Sequence, residues 1–402
     1  MRRNERRPLA SWALLLGGVV LLAGGCGGPA GKGSPVGLFG KPKRIVENHG
    51  VKTDDGWTLA LKRFRRNGAS GLLGPVVLTH GFSYNGVFWD LDEAHSLARY
   101  LADRDFDVWV VSLRGAGAST KPGFSALKSI ITTRWADLPA TIPRATLDPS
   151  KANWTVDDYI DHDVPAIISF VTQATGRPKL FWVGHSMGGM ILYAHMERVP
   201  DPRVAGFVAV ASPMNIPQPP NDLLQGVLKQ EGLLKISALT INTTLPAKLV
   251  SPLGGAVPTP MDKLFYNRQN MDYLTVTNLF LNVVEDIPQG VLDQFMNLIR
   301  TGEFERTDGS YNYTRSLGKV TVPVLLVAGA VDNLAPPEVV RFSYDHVASS
   351  DKTYRMFGRV NGHKADYGHS DLILGKHSRE EVFPLIAQWL TERARPRAPG
   401  RP

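Results

Sequence analysis

From residue 44 onward the chain alternates between short, continuously apolar runs and longer stretches whose apolar residues recur at helical spacing. VVLTHG (76–81), DVWVVSLRG (107–115), LFWVGHS (180–186), VAGFVAVASP (204–213), VPVLLVAGAVD (322–332) and KTYRMFG (352–358) read as strands. DEAHSLARYLADR (92–104), VDDYIDHDVPAIISFVTQATG (156–176), MGGMILYAHME (187–197), PPEVVRFSYDHV (336–347) and REEVFPLIAQWLTERAR (379–395) read as helices. Apolar strands alternating with helices imply a mostly parallel central sheet flanked on both faces by helices, an α/β class. RIVENHGVKTDDGWTLALKRFRR (44–66) predicts a hairpin turning at Asp54-Asp55-Gly56. In the helix over 156–176, Thr155 or Asp157 marks the start and Gly176 the stop, and Pro165 inside it predicts a kink.

The alternation breaks between Pro213 and Val320. That gap still holds apolar, helical-looking pieces such as DLLQGVLKQEGLLKISAL and MDYLTVTNLFLNVV. A structureless loop of this length inside a domain is rare, so the segment reads as an inserted helical cap. A smaller excursion over 120–155, with two tryptophans and several prolines, is expected over the same end of the sheet.

The N-terminus has another character. A basic MRRNERRP is followed by the uncharged, apolar LASWALLLGGVVLLAGG and then Cys26, the chain's one cysteine. This is the pattern of a secretory signal. Ala23-Gly24-Gly25-Cys26 resembles the lipobox of bacterial lipoproteins, which implies lipidation of Cys26, export and a membrane-anchored catalytic domain outside the cytoplasm. A lone cysteine cannot form an internal disulfide, in keeping with that reading. Residues 27–43, rich in Gly, Pro and Lys, read as a tether. The chain thus divides into a signal (1–25), lipidated cysteine and tether (26–43), a first core part (44–212), the cap (213–319), a second core part (320–393) and an Arg/Pro tail (394–402). Of the formal net charge of +8, residues 1–25 carry +3 and the last eleven another +3. The remainder is close to neutral, with no basic face that would point to nucleic acid.

Gly184-His185-Ser186-Met187-Gly188 lies where a strand meets a helix. G-x-S-x-G in that setting is a nucleophile elbow: serine on a sharp, strained turn, with glycines where a side chain would strike neighbouring backbone. The alternative is a tight strand–helix turn with an incidental serine. A serine hydroxyl needs a base. Of ten histidines, His369 in NGHKADYGHSDLILG stands on a loop after the last strand, with Asp371 two places on; His363 is its rival. Asp332, just after VPVLLVAGAV, is the expected carboxylate that orients the base, the alternatives being a turn former or a helix cap. The N–H groups of Met187 and of Phe82 in THGFSYN are the expected oxyanion donors. Trp89, Trp135, Trp154 and Phe82 are candidate acyl-pocket walls, though aromatic residues at such positions commonly serve the core. Neither the histidines nor the cysteine has zinc spacing, and neither a metal nor a cofactor is expected.

With these residues in place the chain resembles the α/β-hydrolase superfamily. VKTDDGWTLALKRF, RYLADRDFDVWVVSLRGAGAS, the stretch from VDDYIDHD to GHSMGG, DNLAPPEVV and GHSDLILGKHSREEVFPLI resemble the acid lipase group, the gastric and lysosomal lipase type. The resemblance covers roughly 45–210 and 320–392, and it implies Asp332 and His369, rather than His363, as acid and base. This chain has Met187 where that group often has Gln, and the Gly188-Gly189 pair is closer to general bacterial esterases. It implies an acyl-enzyme mechanism on carboxylic esters, of lipids or other apolar acyl compounds. Thioesters, lactones, polyesters and perhydrolysis use the same residues, and a non-catalytic binding lipoprotein is the non-enzymatic alternative. Ser186 argues against epoxide and haloalkane hydrolases, which place a carboxylate at the elbow.

Overall fold

The structure, a computed structural model, describes residues 43–69, 72–121, 153–229, 240–241 and 262–394. Cys26, the signal and most of the tether, Trp135 with most of its excursion, much of the cap's first half and all but the first residue of the tail lie outside the described residues.

An eight-stranded sheet runs in the order β1 (Arg44–Lys52), β2 (Thr58–Arg66), β4 (Phe106–Ser112), β3 (Gly74–Thr79), β5 (Leu180–His185), β6 (Val204–Val210), β9 (Val324–Gly329), β10 (Lys352–Phe357). β1 pairs antiparallel with β2 and β2 with β4; every later pairing is parallel. Burial follows position. Every residue of β3, β5 and β9 is buried, because helices cover both faces. The edge strand β1 carries Arg44, Glu47 and Lys52 and is mostly solvent-accessible, and such charge discourages further pairing. Trp109, Trp182, Phe207 and Leu326 lie in the sheet's core, fully buried. Each such side chain contributes about 2–3 kcal/mol through the area removed from water.

The expected hairpin forms over Arg44–Arg66 with Gly56 at φ 85° in its turn. α1 (Leu97–Ala102) is shorter than the pattern over 92–104 predicts. The Ser96 hydroxyl accepts from the Arg99 N–H and starts the helix there, while the Asp92 carboxylate accepts from Ala94 and His95 N–H in a separate turn. The helix expected over 156–176 is divided. A helical turn at Val156–Asp158, begun by Thr155 with the Asp158 carboxylate folded back on it, passes into a π turn at Tyr159–Asp163 and then into α2 (Val164–Thr175). Pro165 sits in the first turn of α2, where its missing N–H costs nothing, and the π turn takes up the break. Gly176 closes α2 in the left-handed conformation. α3 (Met187–Arg198) follows β5 without a linker.

Between β6 and β9 the described residues form α4 (Asp222–Lys229), a two-stranded antiparallel pair of β7 (Thr240–Ile241) and β8 (Ile287–Pro288), α5 (Tyr273–Asn278) with a π turn at Leu279–Val283, and α6 (Gln289–Thr301). This inserted segment is joined to the core at Asp157, a buried carboxylate that accepts from Gln294 Nε2, the Thr307 N–H and hydroxyl, and the Tyr313 hydroxyl. α7 (Pro337–His346) and α8 (Ser378–Ala394) complete the helical layers.

Candidate active site

Parallel strands deliver their C-terminal ends to one edge of the sheet, and the loops leaving those ends form a crevice. β3 leads to Gly81-Phe82, β5 to Ser186, β9 to Asp332 and β10, through a longer loop, to His369.

Ser186 adopts φ 52° and ψ −121°, between the end of β5 and the first residue of α3. A non-glycine residue in this region costs on the order of 1–3 kcal/mol and persists only where its surroundings hold it. Here its N–H donates to Val210 O (2.8 Å) and its own carbonyl accepts from Gly189 and Met190 N–H. The glycines are required by close approach. A Cβ on Gly184 would lie 2.3 Å from Gly188 O, and one on Gly188 would lie 2.3 Å from Thr79 O. Gly188 O accepts from Trp182 Nε1 and from the Thr79 hydroxyl, both at 3.1 Å, tying the elbow to β3 and β5. The strand–helix context expected for G-x-S-x-G is therefore present. Met187 opens α3, where the first N–H groups of a helix have no intrahelical acceptor and carry partial positive charge.

His369 Nδ1 lies 2.8 Å from Asp332 Oδ2, and both side chains are almost fully buried. The other Asp332 oxygen accepts from Leu334 and Ala335 N–H at 2.8 and 2.9 Å. The two readings of Asp332, imidazole partner and turn former, are thus satisfied by separate oxygens. The His369 loop is fastened to the elbow by His185, whose Nε2–H donates to His369 O (3.1 Å) and whose ring lies 4.7 Å from that of His369. Burial pushes the His185 imidazole well below its usual range. His363 is elsewhere. Its Nδ1 meets the Gly358 backbone and its ring packs on Phe357, so it helps close the turn after β10. Asp371 does not pair with His369. It accepts from the N–H groups of Gly368 and Asn267 and from Asn270 Nδ2, holding the loop from beneath. Burial lifts its carboxyl to about 6 against those donors.

On the opposite side, His80 is buried, donates from Nδ1 to Gly81 O (2.9 Å) and accepts at Nε2 from Leu113 N–H (3.1 Å). Burial lowers it to about 4, so the imidazole is neutral and its tautomer set by these bonds. Gly81 is tightly packed: a Cβ there would lie 3.0 Å from both Ser186 Cβ and His185 Nδ1, and those neighbours would have to give by a few tenths of an ångström. Phe82 follows, its ring 4.6 Å from that of Phe295 in α6, and Ser83 has φ 55°. Tyr84 reaches across with its hydroxyl 2.8 Å from that of Ser370. A small cavity meets Phe82 and Met187 and has a mixed wall, Trp154, Ile287 and Val291 with Arg114, Glu285 and Asp286. Trp154 is therefore a wall of that cavity, whereas Trp89 is wholly buried against Phe88.

Pattern reading passed over Tyr84 and Ser370, and noted Asp371 only as a neighbour of His369. Only their nearness to Phe82 and His369 in the sequence could have drawn attention to them. Among the described residues, Asp54, Asp55 and His162 alone group as a metal site would, at the exposed hairpin turn, with Asp55 engaged by Arg114.

Residues 74–360 match the family described as alpha/beta hydrolase fold, and the chain belongs to it. The gastric triacylglycerol lipase of Rattus norvegicus is 30% identical, the alignment covering 95% of this chain and 100% of that one. Triacylglycerol lipase 2 of Arabidopsis thaliana is 25% identical, over 90% of this chain and 87% of that one. Among solved structures, a thermophilic esterase from Thermogutta terrifontis is similar in fold, with a TM-score of 0.55 at 18% identity, covering 87% of this chain and 100% of that one. A membrane phospholipase A described as a bacterial virulence factor gives 0.52 at 16%, covering 87% of each.

Proposed function

We propose that Ser186 is the nucleophile of an acyl-enzyme cycle on apolar acyl esters, with His369 as general base, Asp332 as its orienting carboxylate and the Phe82 and Met187 N–H groups as oxyanion donors. That the chain is a carboxylic ester hydrolase follows from its family together with its lipase and esterase relatives. The observation that carries the finer reading is the buried 2.8 Å His369–Asp332 pair beside a serine in a strained elbow. Asp332 fixes the proton of His369 on Nδ1, leaving Nε2 to take the proton from Ser186 as its oxygen attacks the ester carbonyl. The oxyanion forms between the Phe82 and Met187 N–H groups, and His369 returns the proton to the leaving alcohol. Water then attacks the acyl-enzyme by the same route in reverse. The lipase relatives support an apolar acyl ester, and Trp154, Ile287 and Val291 offer it apolar surface in a cavity whose wall also carries Arg114, Glu285 and Asp286. The sequence at Cys26 supports a lipid-anchored, exported form that meets its substrate at a membrane. Mass spectrometry of the mature N-terminus tests this, and an unmodified N-terminus away from Cys26 would sink the idea.

The first test is hydrolysis of p-nitrophenyl esters from acetate to palmitate. Ser186→Ala is expected to lower kcat by roughly 10⁴-fold or more. Intact protein that is inert across the series and unlabelled by a fluorophosphonate would refute the reading.

A further inference from the structure

One carboxylate of the inserted segment joins two core loops beside the elbow. Glu285 lies between the π turn Leu279–Val283 and β8. Its N–H donates to Ser83 O (2.8 Å). Its Oε1 accepts from Asn85 Nδ2 (2.9 Å) and from Gly117 N–H (2.8 Å), and its Oε2 takes Lys121 Nζ (2.8 Å). Asn85 also donates to Asn282 O and accepts from Val87 N–H, so both edges of its amide are engaged. Asn85 and Lys121 are buried and Glu285 is half-buried, so these bonds form where water competes poorly.

The Glu285 side chain acts on the Phe82–Ser83 turn indirectly: by anchoring Asn85, Gly117 and Lys121 it fixes where the main-chain N–H of residue 285 meets Ser83, a bond that every substitution at 285 but proline retains. Ser83 stands at φ 55°, a conformation a serine avoids unless held, and it directly follows Phe82. The direction of the Phe82 N–H depends on the dihedrals of Gly81 through Ser83. One partner of that turn is internal, Tyr84 N–H to Gly81 O at 3.3 Å; the shorter bond comes from the inserted segment. We infer that Glu285 is a positioning residue for the oxyanion site, and that the inserted segment completes the site as well as covering it. This rests on Phe82 and Met187 being the donors, as proposed above. A donor moved by about an ångström costs on the order of a hundredfold in rate, because oxyanion stabilisation depends on preorganised geometry.

The test uses the full chain with Glu285→Ala, Glu285→Asp and Glu285→Gln, with kcat expressed per serine titrated by a fluorophosphonate. Glu285→Ala is expected to lower kcat about tenfold to a hundredfold with KM within about threefold of the parent. The second-order rate of Ser186 phosphonylation should fall in the same proportion, since that adduct also places an oxygen between the donors. Glu285→Gln keeps an acceptor for Asn85 and Gly117 but turns its NH₂ towards the buried Lys121 ammonium, and should recover part of the loss. Glu285→Asp, too short to reach both, should fall between; it carries the test if the alanine variant does not fold. Folded Ala and Asp variants with parental kcat and labelling rate, or a lowered Tm alone, would overturn the inference while leaving the proposed function standing. A parent that neither hydrolyses esters nor labels would overturn both.

Discussion

Ser186, Gly184 and Gly188 are bound to one another by excluded volume. A Cβ on Gly188 would stand 2.3 Å from a backbone oxygen of β3, an atom that cannot swing aside as a side chain could. Gly188→Ala is therefore expected to destabilise the fold by more than about 3 kcal/mol, read as a shift in urea midpoint at constant m. Asp332 predicts the opposite balance. In Asp332→Asn the amide oxygen can still accept from Leu334 and Ala335 N–H, so stability should change little. Its NH₂, however, would face His369 Nδ1 and favour the tautomer with Nε2 protonated. A loss in kcat of roughly 10⁴-fold is expected, with Tm within a few degrees of the parent. A loss of structure comparable to the loss of rate would show that Asp332 serves the turn alone.

At the scale of the element, α3 carries a charge problem as well as the elbow. Glu197 lies one turn after Tyr193 on α3, buried, and burial lifts it from 4.5 to about 9. At pH 7 it is neutral in the fold and ionised when the chain unfolds. The unfolded state then binds fewer protons, so this group's contribution to stability is present below about pH 4.5 and is lost as pH rises towards 9. Glu197→Gln removes the dependence. The variant should match the parent near pH 4 and exceed it by up to ~3 kcal/mol at pH 7, measured by urea unfolding at both values. Equal pH profiles for variant and parent would show that the carboxyl titrates normally. The helix over 156–175 has a different lesson: one amphipathic pattern became two helical pieces with a π turn between them, because a proline needs a place where no N–H is required.

In the whole molecule, the insertion between β6 and β9 is fixed to the core at two carboxylates, the buried Asp157 and the half-buried Glu285. Asp157 takes four donors, three from residues 294–307 and one from Tyr313. Asp157→Ala leaves the buried Tyr313 hydroxyl without this acceptor, while Gln294 Nε2 keeps Glu305 O and the exposed Thr307 turns to water, at an expected cost of about 2 kcal/mol. The insertion and the sheet should nevertheless unfold in one transition, seen as coincident fluorescence and circular-dichroism curves, because Val291, Leu292 and Met296 of α6 belong to the same core cluster as the sheet. Separate transitions would mean that the insertion is its own folding unit.

Most of the sheet could be read from local pattern. Continuously apolar runs such as VVLT and VLLVAG have one comfortable place, the interior of a parallel sheet, while Thr155 and Gly176 bound the helical stretch and Gly56 the hairpin turn by chemistry that acts within a few residues. The elbow was equally legible, since G-x-S-x-G constrains backbone within a single turn, and so was the order of Ser186, Asp332 and His369. Other features depended on distance in space. His363 and His369 share a loop and similar neighbours, yet only His369 reaches Asp332, because the loop after β10 is pinned by Asp371 to Asn267 and Asn270, about a hundred residues away in sequence. Glu285 belongs to a stretch with no motif, and its partners lie at positions 83, 85, 117 and 121. Periodicity records which face of an element is buried; it carries no information on which two buried faces meet. Those pairings were decided by the tertiary fold, through close packing and the need of each buried polar group for a partner.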